Sequence, residues 1–175
     1  MTQLAKPYRT AYKKRDLERD TYLSRWTPKG ILYCKTCGAV YYRRRWTLTP
    51  PADVRDSAEF GDGFQVVFCP GCRKIGDQHS LGELLLVEVA PEESDEILHL
   101  LRNAEERARA NNPLERIIVI AANGAGWKVT TTTENLAQRL GRCLEKARGG
   151  KVTYKWSHNN KFARVLWEKR AKAAA

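Results

Sequence analysis

The sequence predicts an α+β protein in which a small metal-binding module precedes a ferredoxin-like domain, with basic extensions at both ends. Two pairs of cysteines, each in the pattern C-x2-C, predict the metal-binding module. After residue 80 the hydrophobic pattern alternates between the periods of strands and helices, which predicts the second domain. The expected units are a basic, aromatic-rich arm, a zinc ribbon, a ferredoxin-like βαββαβ domain with an extra strand, and a basic tail, at residues 1–29, 30–79, 80–168 and 169–175 respectively.

The composition of the 175 residues restricts the class of protein. Hydrophobic residues make up 42% of the chain, which is enough for a core, so wholesale disorder is not expected. No apolar run approaches the roughly 20 residues of a membrane span, and no apolar stretch follows the basic N-terminus as in a secretory signal. Cysteines paired in this way are typical of a reducing compartment, so we expect a cytoplasmic protein without a membrane partner.

Positive charge is concentrated at the ends of the chain, whose formal net charge is +11. Residues 1–29 hold eight Lys or Arg against three Asp or Glu, and residues 149–175 hold seven against one. Residues 30–80 hold seven against five, whereas residues 81–148 hold nine against eleven. Clustered Lys and Arg release counterions from a phosphate backbone, so this segregation favours a nucleic acid as the partner.

The first two units are predicted to contain short elements. The arm interleaves basic residues with tyrosines and a tryptophan, and we expect at most a short helix that forms on a partner. In the zinc ribbon, the runs ILYC, AVYYRRRW and FQVVFC flank the cysteine pairs and predict short strands. A strand through Arg43, Arg44 and Arg45 would point the first and third of these side chains to one face and the second to the other. Residues 49–63, rich in Pro, Gly and Asp, predict a loop.

The second domain is predicted to have the element order β-α-β-β-α-β-β. GELLLVEV is a strand, PEESDEILHLLRNAEERARANN is a helix, and RIIVIA and WKVTTTT form a hairpin through NGAG. TENLAQRLGRCLEKARGG is a second helix, and KVTYKWS and FARVLWEKR form a closing hairpin through HNNK. Cys143 falls on the apolar face of the second helix and is expected in the core. The first six elements match the ferredoxin-like order.

The two cysteine pairs form the strongest motif in the sequence. Two residues between the thiols of a pair let both sulfurs reach one ion at about 2.3 Å, and two such turns complete a tetrahedron. Four thiolate ligands leave no open coordination position, so the predicted ion is one structural Zn²⁺ and not a catalytic metal. Its predicted ligands are Cys34, Cys37, Cys69 and Cys72. Two alternatives stay open, namely His79 as a replacement ligand and a redox role for a C-x-x-C pair.

Basic residues beside aromatic residues give the second signal. Arginine pairs bidentately with phosphates, while tyrosine and tryptophan stack on unpaired bases. Zinc would bring together the basic runs that follow the two cysteine pairs. The closing hairpin repeats the mixture, although its tryptophans, Trp156 and Trp167, could instead belong to the core. The predicted RNA-contacting residues are Lys13, Lys14, Arg15, Arg43, Arg44, Arg45, Trp46, Arg73, Lys74, Lys155, Lys161 and Arg164.

Three stretches of the chain resemble a known family. YCKTCGAVYYRRRWTL, FCPGCRKI and the later run that contains VTTTTENLA are similar to small bacterial zinc-ribbon proteins, which in turn resemble part of the ribosomal large-subunit export adaptor of archaea and eukaryotes. The resemblance covers roughly residues 30–168. It implies that the paired cysteines bind zinc and that the protein acts on the ribosome. It does not imply export, because the adaptor carries more cysteine pairs and nothing in the sequence looks like a nuclear export signal.

Together these features predict a non-enzymatic factor that binds structured RNA, most simply on the ribosome. The expected partners are rRNA and ribosomal proteins, in assembly, quality control or hibernation, with no small-molecule substrate. One alternative is a DNA-binding or transcription-associated zinc ribbon, which should shift duplex DNA and ignore ribosomal subunits. The other is a metalloenzyme or nuclease, which requires an open metal site, whereas the sequence provides four thiols and no cluster of acids and histidines.

Overall fold

The computed structural model describes residues 20–23, 30–54, 64–157 and 162–169, which form a mixed α+β structure with two separate sheets. Most of the predicted arm and of the basic tail lies outside the described residues. The same holds for four of the predicted RNA contacts, Lys13, Lys14, Arg15 and Lys161. None of the described helices combines the length and the apolar character that a membrane crossing requires.

A four-stranded sheet forms the cysteine module. Its strands are β1 (Ile31–Cys34), β2 (Val40–Tyr42), β3 (Arg45–Thr47) and β4 (Phe64–Val67), in the order β3-β2-β1-β4. The pairs β1-β2 and β2-β3 are antiparallel, whereas β1 and β4 are parallel. Because parallel strands end at the same edge of a sheet, the two cysteine pairs that follow β1 and β4 lie close together.

A short helix that the hydrophobic pattern did not indicate, α1 (Pro70–Gly76), begins inside the second cysteine pair. Cys69 is its N-cap in an extended conformation, and Pro70 occupies its first turn, where the missing amide proton costs no helical hydrogen bond. Arg73 and Lys74 lie in its last turn, as the helix dipole favours. The helix therefore fixes where the basic residues after the second pair can point.

The second unit has the predicted element order in the chain. Its elements are β5 (Gly82–Val87), α2 (Pro91–Asn111), β6 (Ile117–Asn123), β7 (Gly126–Thr131), α3 (Glu134–Arg148), β8 (Lys151–Trp156) and β9 (Ala163–Glu168). The five strands form one sheet in the order β6-β7-β5-β9-β8. Both helices pack on one face of this sheet, where their apolar stripes and the inward residues of the strands form one core.

The sheet order departs from the ferredoxin-like arrangement in the closing hairpin. In that arrangement β8 would lie beside β5, but here β9 lies beside β5 and runs parallel to it, and β8 is the edge strand. The physical reason is the hydrophobicity of β9, in which Ala163, Val165 and Trp167 are fully or almost fully buried. Most of β8 is exposed, as an edge strand permits, and its Trp156 is 52% exposed. Of the two hairpin tryptophans, only Trp167 belongs to the core.

Candidate metal centre and adjoining basic groove

Four cysteine sulfurs meet between the first sheet and α1, as the two C-x2-C pairs predict. The Sγ atoms of Cys34, Cys37, Cys69 and Cys72 all lie within 4.8 Å of one another. Those of Cys37 and Cys69 are 3.7 Å apart. A tetrahedron of sulfurs at about 2.3 Å from an ion has an edge of about 3.8 Å, so this separation fits the geometry. The group therefore has the size and the number of ligands of a structural metal site.

Local structure positions the sulfurs. Cys34 ends β1, and Gly38, with a φ of 72°, turns the chain so that its amide donates to the Cys34 carbonyl at 2.9 Å. The amide of Cys72 donates to the sulfur of Cys69 at 3.4 Å, and the amide of Cys69 donates to the sulfur of Cys34 at 3.3 Å. Amide donors of this kind favour the charged form of the sulfur, which is the form that binds a metal.

The thiols also influence one another's protonation. A hydrogen bond from the Cys69 thiol lowers the pKa of Cys37 to about 5, whereas that hydrogen bond and burial raise the pKa of Cys69 far above its usual range. Burial, together with the charge of Cys37, raises the pKa of Cys72 to about 11. Four adjacent thiolates in a buried site repel one another, so all four carry negative charge together only when a cation offsets it. The donor set thus suits a divalent metal ion.

Neither alternative for the cysteines gains support. The ring of His79 packs against that of Tyr22, with centroids 4.9 Å apart, and within the described part of the chain the group that could share one ion consists of the four cysteines. A redox role would need one pair to act alone, whereas all four thiols surround one point. Cys143 is half-buried against the core of the second unit, in agreement with its predicted place on the apolar face of a helix.

The arginine run does not continue as a strand. Arg43 and Arg44 form the two-residue turn between β2 and β3, in which Tyr42 pairs with Arg45. Their φ angles are 47° and 67°, the left-handed values of a type I′ turn, which favours Asn and Gly. All three arginines are exposed. The prediction that the three side chains alternate between two faces of one strand is therefore wrong. Arg43 and Arg44 form the turn, and only Arg45 lies in a strand.

A groove of about 680 Å³ lies beside this hairpin and α1. Three of the guanidinium groups named above line it, those of Arg44, Arg45 and Arg73. No carboxylate is among the described residues that line the groove. Its aromatic lining residues are Tyr22, Tyr41, Trp46 and Phe68. The groove is thus a concave, cationic surface with partly or fully exposed aromatic side chains, next to the sulfur cluster against which Trp46 also packs.

Lys74 is not part of this surface, contrary to the prediction that it contacts RNA. Only 3% of the residue is exposed, and its Nζ forms an ion pair with Asp20 and donates to the carbonyl of Thr132 at 3.1 Å. The Tyr22 hydroxyl donates to Asp77 at 2.8 Å. These contacts dock residues 20–23 on α1 and tie α1 to the end of β7. A part of the chain that the sequence assigned to a free arm is therefore fixed to the metal module.

The two remaining predicted RNA contacts that the structure describes lie on the five-stranded sheet. Lys155 and Arg164 are opposite each other on β8 and β9, and both are exposed. The Arg164 side chain lies over the ring of Phe162 at 5.6 Å and 4.0 Å from a carboxylate oxygen of Glu83. Neither residue lines the groove, so the structure does not join them with the arginine cluster into one site.

Several groove residues were not among the predicted contacts, namely Tyr22, Tyr41, Gln65, Phe68 and Asn111. Gln65 and Phe68 belong to a run that predicts a strand, and Asn111 ends a helix, so none carries a local signal of binding. The available signal was the interleaving of tyrosines with basic residues in the arm and in the hairpin. The docking of residues 20–23 and the parallel pairing of β1 with β4 bring these residues together, and neither is visible in the sequence.

Comparison of the chain with protein-family models, with curated proteins and with solved structures gives no match. The geometry and chemistry of the site itself are therefore what point to a function.

Proposed function

We propose that this protein is a non-catalytic zinc-binding factor that binds structured RNA, with the ribosome as the source of that RNA. In this proposal Zn²⁺ is the ion that the four cysteines hold, because four thiolates in a tetrahedron of this size suit zinc. When bound, the ion fills its coordination with protein ligands and serves to hold β1, β4 and the start of α1 in place. The RNA contacts come from the arginine turn and the groove beside it.

The strained turn is the observation that carries the proposal. A left-handed conformation costs an ordinary residue about 1–2 kcal/mol, and here two consecutive arginines adopt it where Asn and Gly would fit without strain. Residues held in this way are common at binding sites, where the surrounding structure fixes them. The turn holds Arg43 and Arg44 at the tip of a short hairpin whose strand β3 packs through Trp46 against the cysteine cluster, so little backbone entropy is lost when they bind.

The composition of the groove supports RNA over other polyanions. Guanidinium groups bind phosphates, and aromatic rings stack on bases, so the mixture suits a partner that has both. The concentration of positive charge in the terminal segments agrees with a partner of high phosphate density. The ribosome is proposed because the cysteine pairs and the later run resemble a ribosome-associated family.

The test compares two variants that each remove three positive charges. Arg43→Ala/Arg44→Ala/Arg45→Ala changes the turn and the adjoining residue, and Arg107→Ala/Arg142→Ala/Lys146→Ala changes exposed residues of α2 and α3. We expect the first variant to lose co-sedimentation with ribosomal subunits at moderate salt, and the second to retain it. Removing two to three phosphate contacts should make the slope of log K against log salt less negative by about 1.4–2.7.

Two results would contradict the proposal. Equal binding and equal salt slopes for both variants would show that the arginine turn is an ordinary solvated surface. Tight binding of duplex DNA with no association with subunits would favour the transcription-associated alternative instead.

A further inference from the structure

We infer that the groove is a nucleotide-binding site that accepts an unpaired base of the RNA, with its phosphates on the arginines at the rim. The inference rests on the proposed function and deepens it, because it names the part of the RNA that the site takes. The protein would then recognise bulged or single-stranded nucleotides and bind a continuous duplex less well.

Aromatic rings in the groove provide the first argument. Trp46 packs with one side against the cysteine cluster, and its ring centroid is 5.5 Å from that of Tyr41 at an interplanar angle of 56°. Phe68 is 51% exposed, although it directly precedes the buried Cys69. Exposed rings beside a fixed backbone are suitable stacking platforms for bases, because every base has a π-face.

The polar groups of the groove provide the second argument. The guanidinium of Arg73, which lines the groove, lies 5.3 Å from the ring centre of Tyr22. The ammonium of Lys35, which is not a lining residue, lies 4.3 Å from the ring centre of Phe68. Gln65 and Asn111 add exposed side-chain amides, which offer both donors and acceptors to the edge of a base. Rings, amides and cations without a carboxylate match the three parts of a nucleotide, which are the base face, the base edge and the phosphate.

The size of the groove provides the third argument. Its volume of about 680 Å³ lies in the range of about 300–1,000 Å³ of clefts that bind small ligands. Bases inside a duplex are stacked on their neighbours and reach such a cleft only when they leave the helix. An acidic peptide would also be attracted by the cations, but its carboxylates have no aromatic face to stack on the rings.

The experiment compares two hairpin RNAs with the same stem, one with a 2-aminopurine nucleotide in a bulge and one with it paired in the stem. With the full, zinc-loaded chain we expect stronger quenching of the bulged 2-aminopurine and tighter binding of the bulged RNA. Phe68→Leu and Trp46→Leu should each weaken binding of the bulged RNA by about 5- to 150-fold, the effect of one lost stack, and change duplex binding little.

Three controls accompany these variants. Tyr154→Leu removes an exposed ring of β8, away from the groove, and should bind both RNAs as the parent does. Phe68→Tyr retains a ring and should restore the preference for the bulge. Metal content and circular dichroism establish that each variant folds, and Phe68→Leu gives the decisive result if Trp46→Leu loses its metal.

The possible failures are distinguishable. The inference is overturned if the two RNAs bind equally, no quenching is seen, and only removal of the arginines lowers the affinity. That result leaves the proposed function standing. No binding of either RNA, together with no co-sedimentation with ribosomal subunits, defeats both. Displacement of the RNA by a poly-glutamate peptide, with an affinity that depends on Phe68 and Trp46, overturns the inference in favour of an acidic protein partner.

Discussion

Arg43 and Arg44 show how a single backbone conformation can report on function. Both have positive φ, which a β-hairpin of this kind normally assigns to Asn and Gly. Asn and Gly would build the same turn with less strain, and we propose that the arginines are present for binding. Trp46, the middle residue of β3, packs against the sulfur cluster and lines the groove. Trp46 therefore links the strand that follows the turn to both the groove and the cysteine cluster.

Replacing the two arginines should separate stability from binding. We expect Arg43→Asn/Arg44→Gly to raise the free energy of unfolding by about 1–2 kcal/mol, because the left-handed conformations are relieved, and to weaken RNA binding. Arg43→Ala/Arg44→Ala should weaken binding to the same degree without a gain in stability, since alanine is also strained there. Urea denaturation of the zinc-loaded protein and titration with RNA give the two quantities. Unchanged stability in the Asn-Gly variant would show that the turn stores no strain.

At the scale of elements, α1 is the connection between the two units. Gly71 lets this helix approach the next unit closely, because a Cβ at that position would lie 3.1 Å from the Cα of Leu114. On the same helix Lys74 is buried with Asp20, and the amide of Tyr22 donates to Asp20 at 3.0 Å. The ion pair thereby holds Tyr22 at the wall of the groove, so the docking of residues 20–23 shapes the groove as well as contributing to stability.

Removing one partner of this ion pair should lower the free energy of unfolding strongly, whereas replacing both partners should change it little. We expect Lys74→Met to lower the free energy of unfolding by about 3 kcal/mol, because it leaves the Asp20 carboxylate buried without its counter-charge. Asp20→Asn/Lys74→Met should recover most of the loss, since asparagine can still accept the hydrogen bond of the Tyr22 amide. Denaturation curves of the parent, the single and the double variants form the required cycle. A double variant as unstable as Lys74→Met would show that the ion pair is not the source of the effect.

For the whole molecule, the features that the sequence predicted correctly are those that depend on local sequence pattern. The cysteine cluster follows from spacing, and both long helices follow from apolar residues at helical intervals, so these predictions agree with the structure. The position of β9 beside β5 depends on which strand competes best for the centre of the sheet, and order along the chain does not encode that. Lys74 looked like a surface residue because its partner Asp20 lies 54 positions away.

The two units also differ in what stabilises them. The four-stranded sheet has few buried apolar residues apart from its cysteines, among them Leu32, Ala39 and Val40, whereas the five-stranded sheet and its helices share a continuous hydrophobic core. We expect a module of this size with so little core to depend on a bound metal for folding. The second core contains none of the four cysteines, so the metal should matter much less to it.

Removing the metal should therefore unfold one unit and spare the other. After chelation we expect hydrogen exchange to accelerate in β1 to β4 and in α1, since these elements carry or adjoin the four sulfurs, while α2, α3 and the central strands β5, β7 and β9 keep their protection. Cys69→Ser should lose the zinc and behave like the chelated protein. The matched control Cys143→Ser should retain one zinc per chain, because this thiol packs against the other core. Loss of protection throughout the chain would show that the metal supports the whole molecule. Loss of zinc from Cys143→Ser would show that the ligand assignment is wrong.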